Sequence, residues 1–286
     1  MTSDEFLRDW NSILCDYSYS VQRSVGIFTL PTFNKFVGVK HGFSARIGGA
    51  STGEFASLNL SFSREEPRDK VMRNYRIFCD AAFINEESMV MDNYAHGTSV
   101  QLVDRRDAGR GYTRTPLPIC DAMITNDPAI TLITGHADCM ALFFFDPVHR
   151  SIGLAHAGWR GALNRIGACV VSSLGKTFQT RPSELYVGIG PSICSHCFEV
   201  DLDVANTFSA TFPDTPCVNM IDERKKATVD LWMVVFRQLI DAGVLADHIS
   251  LMGVCTYEDR RLFSYRRDGG NTGGMAAFLA LSSDDQ

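Results

Sequence analysis

Three short segments place a histidine or a cysteine at the end of a predicted strand, where functional groups commonly lie. The side chains are His96, Cys139 and His156, in segments 94–98, 136–139 and 155–161. Two imidazoles and a thiolate suit a borderline-soft divalent metal such as Zn²⁺, and the same set also accommodates Cu²⁺. Three protein ligands leave a fourth position for water or substrate, which is typical of a catalytic site. The spacing is not that of a zinc finger, so it does not establish a metal site by itself.

Two other interpretations of the same residues stay open. Cys139 is alternatively a nucleophile with His156 as its base. The third interpretation is that each residue is a buried polar group satisfied by the backbone. His136 lies just before Cys139, and the sequence does not decide whether it approaches the site or lies at the surface.

Cys194 and Cys197 form a C-x-x-C pair. In a βαβ setting such a pair is typical of a redox site, and elsewhere it is half of a structural zinc site. A zinc site of that kind needs a second pair, and the sequence contains no second C-x-x-C. We therefore predict a structural or incidental role for these two cysteines.

Ser44 and Arg46 precede a Gly-Gly pair, and Arg160 follows the third segment above. Backbone N–H groups and the planar guanidinium of arginine together suit a phosphate or a carboxylate. These three residues are therefore candidates for substrate binding. In the alternative interpretation, the glycines only supply positive φ in turns, and Arg160 ties a helix start to a neighbouring loop.

The elements that must position these residues interleave strands with helices. Strands are predicted at 25–28, 36–39, 129–134, 140–145, 152–155, 185–189, 249–252 and 262–265, helices at 67–83, 159–176 and 229–242, a turn-rich segment at 41–49 and a polar loop at 105–118. Unbroken apolar runs such as 140–145 suit strands that are buried on both faces. The pattern predicts an α/β protein, a single domain with a mixed sheet.

Composition narrows the class of protein further. The 286 residues are 45% hydrophobic and 21% charged, which is typical of a globular protein. The net charge of −6 and the pI near 5.6 argue against a nucleic-acid binder. No apolar run approaches the roughly 20 residues that a membrane crossing needs. Nine cysteines, an odd number, and no visible signal peptide favour a reducing cytoplasm.

The sequence resembles a known family over roughly residues 25–281. The motifs occur in order at 41–46 with Gly48-Gly49, 57–60, 74–76, 96–97, 121–125, 137–139, 156–161, 190–191, 197–200, 255–256 and 263–267. On these motifs the chain is identified as a member of the YfiH family, long called multicopper polyphenol oxidase or laccase-domain proteins.

The resemblance implies a fold, a metal and a cellular setting. It implies one domain over residues 1–286 with an α/β/β/α sandwich, similar to the deamidase domain of a bacterial cytotoxic necrotizing factor. It implies that His96, Cys139 and His156 bind Zn²⁺. It also implies a soluble, monomeric cytoplasmic protein that takes small-molecule substrates, a purine nucleoside and phosphate.

Family members are described as purine nucleoside phosphorylases, and a bacterial branch as peptidoglycan editing factors. The resemblance therefore implies phosphorolysis of adenosine, inosine and methylthioadenosine, together with adenosine deamination. The alternative is an amide hydrolase that edits peptidoglycan precursors with a metal or with Cys139, and a third is a non-catalytic protein with a structural metal. Four-copper oxidase chemistry is excluded, because it needs about ten histidines, many in H-x-H pairs. The chain has seven histidines and no such pair.

Overall fold

The computed structural model describes residues 2–221 and 225–282. The strands are β1 (Leu14–Cys15), β2 (Ser18–Gln22), β3 (Val25–Thr29), β4 (Val39–Ser44), β5 (Met89–Met91), β6 (Val100–Leu102), β7 (Ala122–Thr125), β8 (Thr131–His136), β9 (Met140–Asp146), β10 (Ser151–Ala157), β11 (Tyr186–Ile189), β12 (Glu199–Asp201), β13 (Val218–Ile221), β14 (Lys226–Val229), β15 (Ile249–Leu251) and β16 (Met275–Leu281). The α-helices are α1 (Ser3–Asn11), α2 (Pro31–Asn34), α3 (Arg68–Ala82), α4 (Trp159–Leu163), α5 (Ile166–Phe178), α6 (Leu202–Thr211) and α7 (Leu231–Asp241). Short 3₁₀ turns lie at Gly53–Phe55, Glu86–Ser88, Arg105–Asp107, Pro182–Glu184 and Ala246–His248. None of the helices in this described part of the chain has the length and apolar character that a membrane crossing requires.

Two large sheets form the centre of the fold. Among the described residues, seven strands pair in the order β1-β15-β11-β9-β10-β7-β6, and six pair in the order β2-β3-β4-β16-β8-β5. Both sheets mix parallel and antiparallel pairs: β11 runs parallel to β15 but antiparallel to β9. A smaller sheet, β12-β14-β13, lies beside α6.

The side chains of β9 show how the layers stack, because alternate residues of a strand face opposite sides of its sheet. Leu142 and Phe144 belong to a core with α5 and α7, whereas Ala141, Phe143 and Phe145 belong to a core between the two sheets. On the far side, α3 packs on the six-stranded sheet through a third core. The order of layers is helix, sheet, sheet, helix, so the predicted α/β/β/α sandwich is confirmed.

Several predicted elements are confirmed at their positions. The apolar runs 140–145 and 152–155 lie within β9 and β10, whose residues are all buried. The segment predicted as a helix at 67–83 forms α3, in which Val71, Tyr75 and Phe78 are buried on one face.

Three predicted elements are wrong, each for a local reason. The strand predicted at 36–39 is wrong because Gly38 adopts a positive φ of 95°. The strand here is β4, which begins at Val39 and extends into the segment 41–49 that was predicted as turns. β4 forms because it is paired on both sides, by β3 and β16. The helix at 159–176 breaks into α4 and α5 at Arg165, which has φ 64°. Residues 262–265 are not a strand; there the Arg267 guanidinium donates to the carbonyl oxygen of Leu262 at 2.7 Å.

Candidate metal centre

The three candidate ligands converge at one end of the space between the two sheets. One ligand atom from each of His96, Cys139 and His156 lies within 4.8 Å of the others. The pairing of β9 with β10 explains part of this, because His156 lies opposite Ala141, two residues beyond Cys139. His156 follows Ile152 and Leu154 on the face of β10 that meets the second sheet. The far-separated residues are therefore brought together by strand register.

His156 has the tautomer that a metal ligand needs. Its Nδ1 lies 2.7 Å from the carbonyl oxygen of Gly135, and a carbonyl only accepts, so Nδ1 carries the proton. The other ring nitrogen, Nε2, is then a lone-pair donor, and it is buried without a hydrogen-bond partner. Burial also lowers the pKa of His156 to about 4, so the ring is neutral at pH 7. A buried, unpaired acceptor is costly, and a bound cation satisfies it.

His96 is exposed and is held by its loop. The amides of Ala95 and Gly97 both donate to Asp121 Oδ1 at 2.9 Å. The amide of Ser99 donates to Asp121 Oδ2 at 3.1 Å, and the Asp121 carbonyl accepts from the His156 amide at 2.8 Å. One aspartate just before β7 therefore positions both histidines. The site is open to solvent on the side of His96.

The surroundings of Cys139 disfavour a free thiolate nucleophile. Burial, with a smaller contribution from Asp138, raises the pKa of the Cys139 thiol to about 12. Without a cation nearby the thiol stays protonated at pH 7, and a thiol is a weak nucleophile. A metal ion converts such a group to a thiolate. The protonated thiol and its position within 4.8 Å of ligand atoms of His96 and His156 favour the metal-ligand interpretation over the nucleophile interpretation.

His136 and Tyr94 support the site without being ligands. Both rings stack against the His156 ring, with centroid distances of 5.1 Å for His136 and 3.9 Å for Tyr94. Both ring nitrogens of His136 are used, by Thr134 Oγ1 at 2.7 Å and by the Cys139 carbonyl at 3.1 Å. The question that the sequence left open is answered: His136 is buried and orients the Cys139 backbone.

Gly158 has no side chain, and this leaves room for the side chains of His96 and Cys139 to approach each other. A Cβ atom at this position would lie 2.9 Å from His96 Cδ2 and 3.1 Å from Cys139 Sγ. Both distances are shorter than ordinary contacts, so only glycine allows these two side chains to approach each other here. The donor chemistry and this cradle together fit Zn²⁺, which prefers thiolate and imidazole ligands.

The three predicted substrate-binding residues have different surroundings. The Ser44 hydroxyl is fully buried and accepts a hydrogen bond from the Ala276 amide at 3.0 Å, which leaves it inside the sheet. Arg46 Nε donates to the Ala56 carbonyl at 2.9 Å, and its guanidinium lies over the Phe263 ring. Arg160 is exposed near the centre, over its neighbour Trp159. Their roles in binding stay predictions.

Sequence reasoning missed Asp121, Tyr94 and Asp138 as supporting residues. Asp138 has φ 82°, and its carboxylate accepts from the Thr256 hydroxyl at 2.6 Å and from the Arg266 amide at 2.7 Å. A polar residue directly beside a candidate ligand was the available signal, but its partners lie more than a hundred residues away.

The fold and this cluster define an α/β/β/α protein with a three-ligand candidate metal centre at the end of its inter-sheet core. The chain belongs to the family described as multi-copper polyphenol oxidoreductase laccase, which matches residues 40–282. The predicted membership in the YfiH family is thereby confirmed.

Relatives and solved structures agree on this family. The chain is 33% identical over 243 residues to "Purine nucleoside phosphorylase YlmD" of Bacillus subtilis, covering 84% of this chain and 87% of the relative. It is 34% identical over 248 residues to the protein of the same name from Geobacillus stearothermophilus, covering 85% and 90%. The crystal structure of that YlmD superposes with a TM-score of 0.87 over 93% of this chain and 99% of its own, at 31% identity. YfiH of Bacillus licheniformis gives 0.85 over 92% and 99%, at 28% identity.

Proposed function

We propose that this protein is a zinc-dependent purine nucleoside phosphorylase. Its substrates are nucleosides such as adenosine, inosine and methylthioadenosine, and it also deaminates adenosine. The names of the relatives support the phosphorylase reaction. The observation that carries the metal dependence is the unused, buried Nε2 of His156 beside His96 and Cys139.

His96, Cys139 and His156 would hold the ion. When bound, Zn²⁺ supplies Lewis acidity, which polarises phosphate oxygens and lowers the pKa of water. The first effect serves phosphorolysis and the second serves deamination, so one centre serves both reactions.

The chain's own residues bind and orient the reactants. Arg160 is exposed and stands two residues beyond Gly158, which touches the centre, and its planar guanidinium suits bidentate contact with phosphate. The Arg46 Nε–H group already donates a hydrogen bond to the Ala56 carbonyl oxygen. Only the two terminal nitrogens of its guanidinium are therefore left to contact the phosphate. In phosphorolysis a phosphate oxygen bonds to the ribose C1 while the bond from C1 to the purine nitrogen breaks. The electron pair of that bond leaves with the purine, which takes up a proton from the phosphate or from water, and the negative charge of the phosphate stabilises the oxocarbenium-like state between the two.

The test is a phosphate-dependent assay on protein loaded with Zn²⁺. We expect adenine and ribose 1-phosphate from adenosine, and inosine as the product of deamination. Cys139→Ala should abolish both reactions, whereas Cys169→Ala, which alters a cysteine outside the centre, should change neither. Absence of turnover by the loaded protein on all three nucleosides would contradict the proposal.

Iodoacetamide labelling separates this proposal from amide hydrolysis by a Cys139 nucleophile. A metal-bound Cys139 should be protected with Zn²⁺ present and become labelled only after chelation and at raised pH, since its thiol pKa is about 12. A free nucleophile would be labelled at pH 7 with Zn²⁺ present. Mass spectrometry of the labelled peptide reads out the result.

A further inference from the structure

A second group of metal-binding side chains lies outside the centre described above. We call it the Cys3Glu cluster; each member offers one ligand atom within 4.8 Å of the others, and the members are Cys194, Cys197, Cys255 and Glu258. The first two form the C-x-x-C pair that the sequence left without a partner. The other two form a C-x-x-E pair with the same spacing. The missing second pair therefore exists, with a carboxylate in place of one thiol.

Parallel strand pairing brings the two pairs together. β11 and β15 are parallel neighbours, with Ile189 opposite Leu251. Both strands therefore end at the same edge of the sheet. A further bridge joins Ser192 to Cys255. The two loops that follow these strands therefore lie side by side.

The contacts inside the cluster suit a cation. Glu258 Oε1 lies 3.8 Å from Cys194 Sγ and 3.4 Å from Cys197 Sγ. The Cys194 amide donates to Cys255 Sγ at 3.4 Å. Amide donors to sulfur are the supporting contacts that metal-bound thiolates commonly have.

We propose that the Cys3Glu cluster binds a second Zn²⁺ ion as a structural site. Four protein ligands close the coordination sphere, which distinguishes a structural zinc from a catalytic one with a vacancy. Three sulfurs select a thiophilic ion over Mg²⁺ or Ca²⁺. This proposal does not depend on the enzymatic activity proposed above.

The Cys3Glu cluster is connected to the candidate metal centre through Asp138. The Ile193 amide, beside Cys194, donates to the Asp138 carbonyl at 3.0 Å. The Thr256 hydroxyl, beside Cys255, donates to the Asp138 carboxylate at 2.6 Å. Asp138 has a positive φ and directly precedes Cys139. An ion that joins the two loops therefore holds the backbone that presents Cys139.

Metal analysis of the full chain, purified without a metal-binding tag and dialysed against Zn²⁺-buffered solution, tests the proposal. We expect two Zn²⁺ per chain in the wild type. Cys255→Ser should retain one, His156→Ala should also retain one, and the double variant none. Cys169→Ser, a cysteine outside both groups, should retain two.

Glu258→Gln is a second variant, for the case in which Cys255→Ser fails to fold. Glu258 is exposed, so its replacement should leave the fold intact. We expect a competing chelator to remove one of its two Zn²⁺ ions at least about 10-fold faster than from the wild type, with the other ion unaffected. A wild type with a single Zn²⁺ that Cys255→Ser retains would overturn the proposal. A disulfide between Cys194 and Cys197 in freshly purified protein, found by mass spectrometry without reduction, would also overturn it.

Discussion

Replacing Gly158 by alanine tests whether the candidate metal centre is built as described. The added Cβ would lie 2.9 Å from His96 Cδ2 and 3.1 Å from Cys139 Sγ, whereas ordinary contacts begin near 3.4 Å. One or both ligands must therefore move by about 0.5 Å, which is the tolerance within which such sites hold their geometry. We expect the Kd for Zn²⁺ at this centre to rise about 10- to 100-fold, the range seen when supporting contacts are lost.

The fold should tolerate the same change. Gly158 is the N-cap of α4 and makes no side-chain cap bond, so alanine there costs only about 1 kcal/mol. The assay is a competition titration of Zn²⁺ with a chromogenic chelator, with a thermal unfolding curve beside it.

Gly135→Ala is the matched control. Gly135 also borders the centre, since its carbonyl accepts from His156. The nearest atom to its added Cβ is Tyr94 Cε1 at 3.9 Å, an ordinary contact. Its Kd for Zn²⁺ should equal that of the wild type. If Gly158→Ala also binds Zn²⁺ like the wild type, the three side chains do not meet around one ion, and the reasoning is refuted.

Three further predictions follow from single contacts. Asp121→Asn leaves one acceptor oxygen for three amides, so Zn²⁺ binding should weaken about 10-fold or more in the same titration, whereas Asp127→Asn at the other end of β7 should not weaken it. Arg160→Ala should raise the KM for phosphate with a smaller effect on the KM for nucleoside; equal effects on both would contradict a phosphate contact. Gly188→Ala places a Cβ against Leu30 and should lower the free energy of unfolding by about 1–3 kcal/mol in denaturant titration, without changing Zn²⁺ affinity.

The sequence predicted those parts of the fold whose signals are local. The helix α3 and the strands β9 and β10 follow from the spacing and length of apolar runs, because these patterns need no information from distant residues. β4 did not follow, since its His-Gly-Phe-Ser segment has turn-like composition and becomes a strand through its pairing with β3 and β16. Such pairing is a tertiary effect that overrides local preference.

The residue types of the candidate centre could also be predicted from the sequence, because histidine and cysteine at the ends of predicted strands are recognisable without knowledge of distant residues. Which residues complete the Cys194-Cys197 pair could not be predicted. Cys139 lies beside His96 and His156. The residues beside the C-x-x-C pair are Cys255 and Glu258, which follow it in the sequence by about sixty residues.

The sequence by itself therefore determined the layered α/β class, the family and the donor atoms that the chain offers. The tertiary structure alone decided that Cys255 and Glu258 lie beside the C-x-x-C pair, which nitrogen of His156 is left unpaired, and that Asp138 connects two clusters. The physical reason is that ligand geometry depends on strand register and parallel pairing across long separations, and these are set by packing of the whole core rather than by any local run of residues.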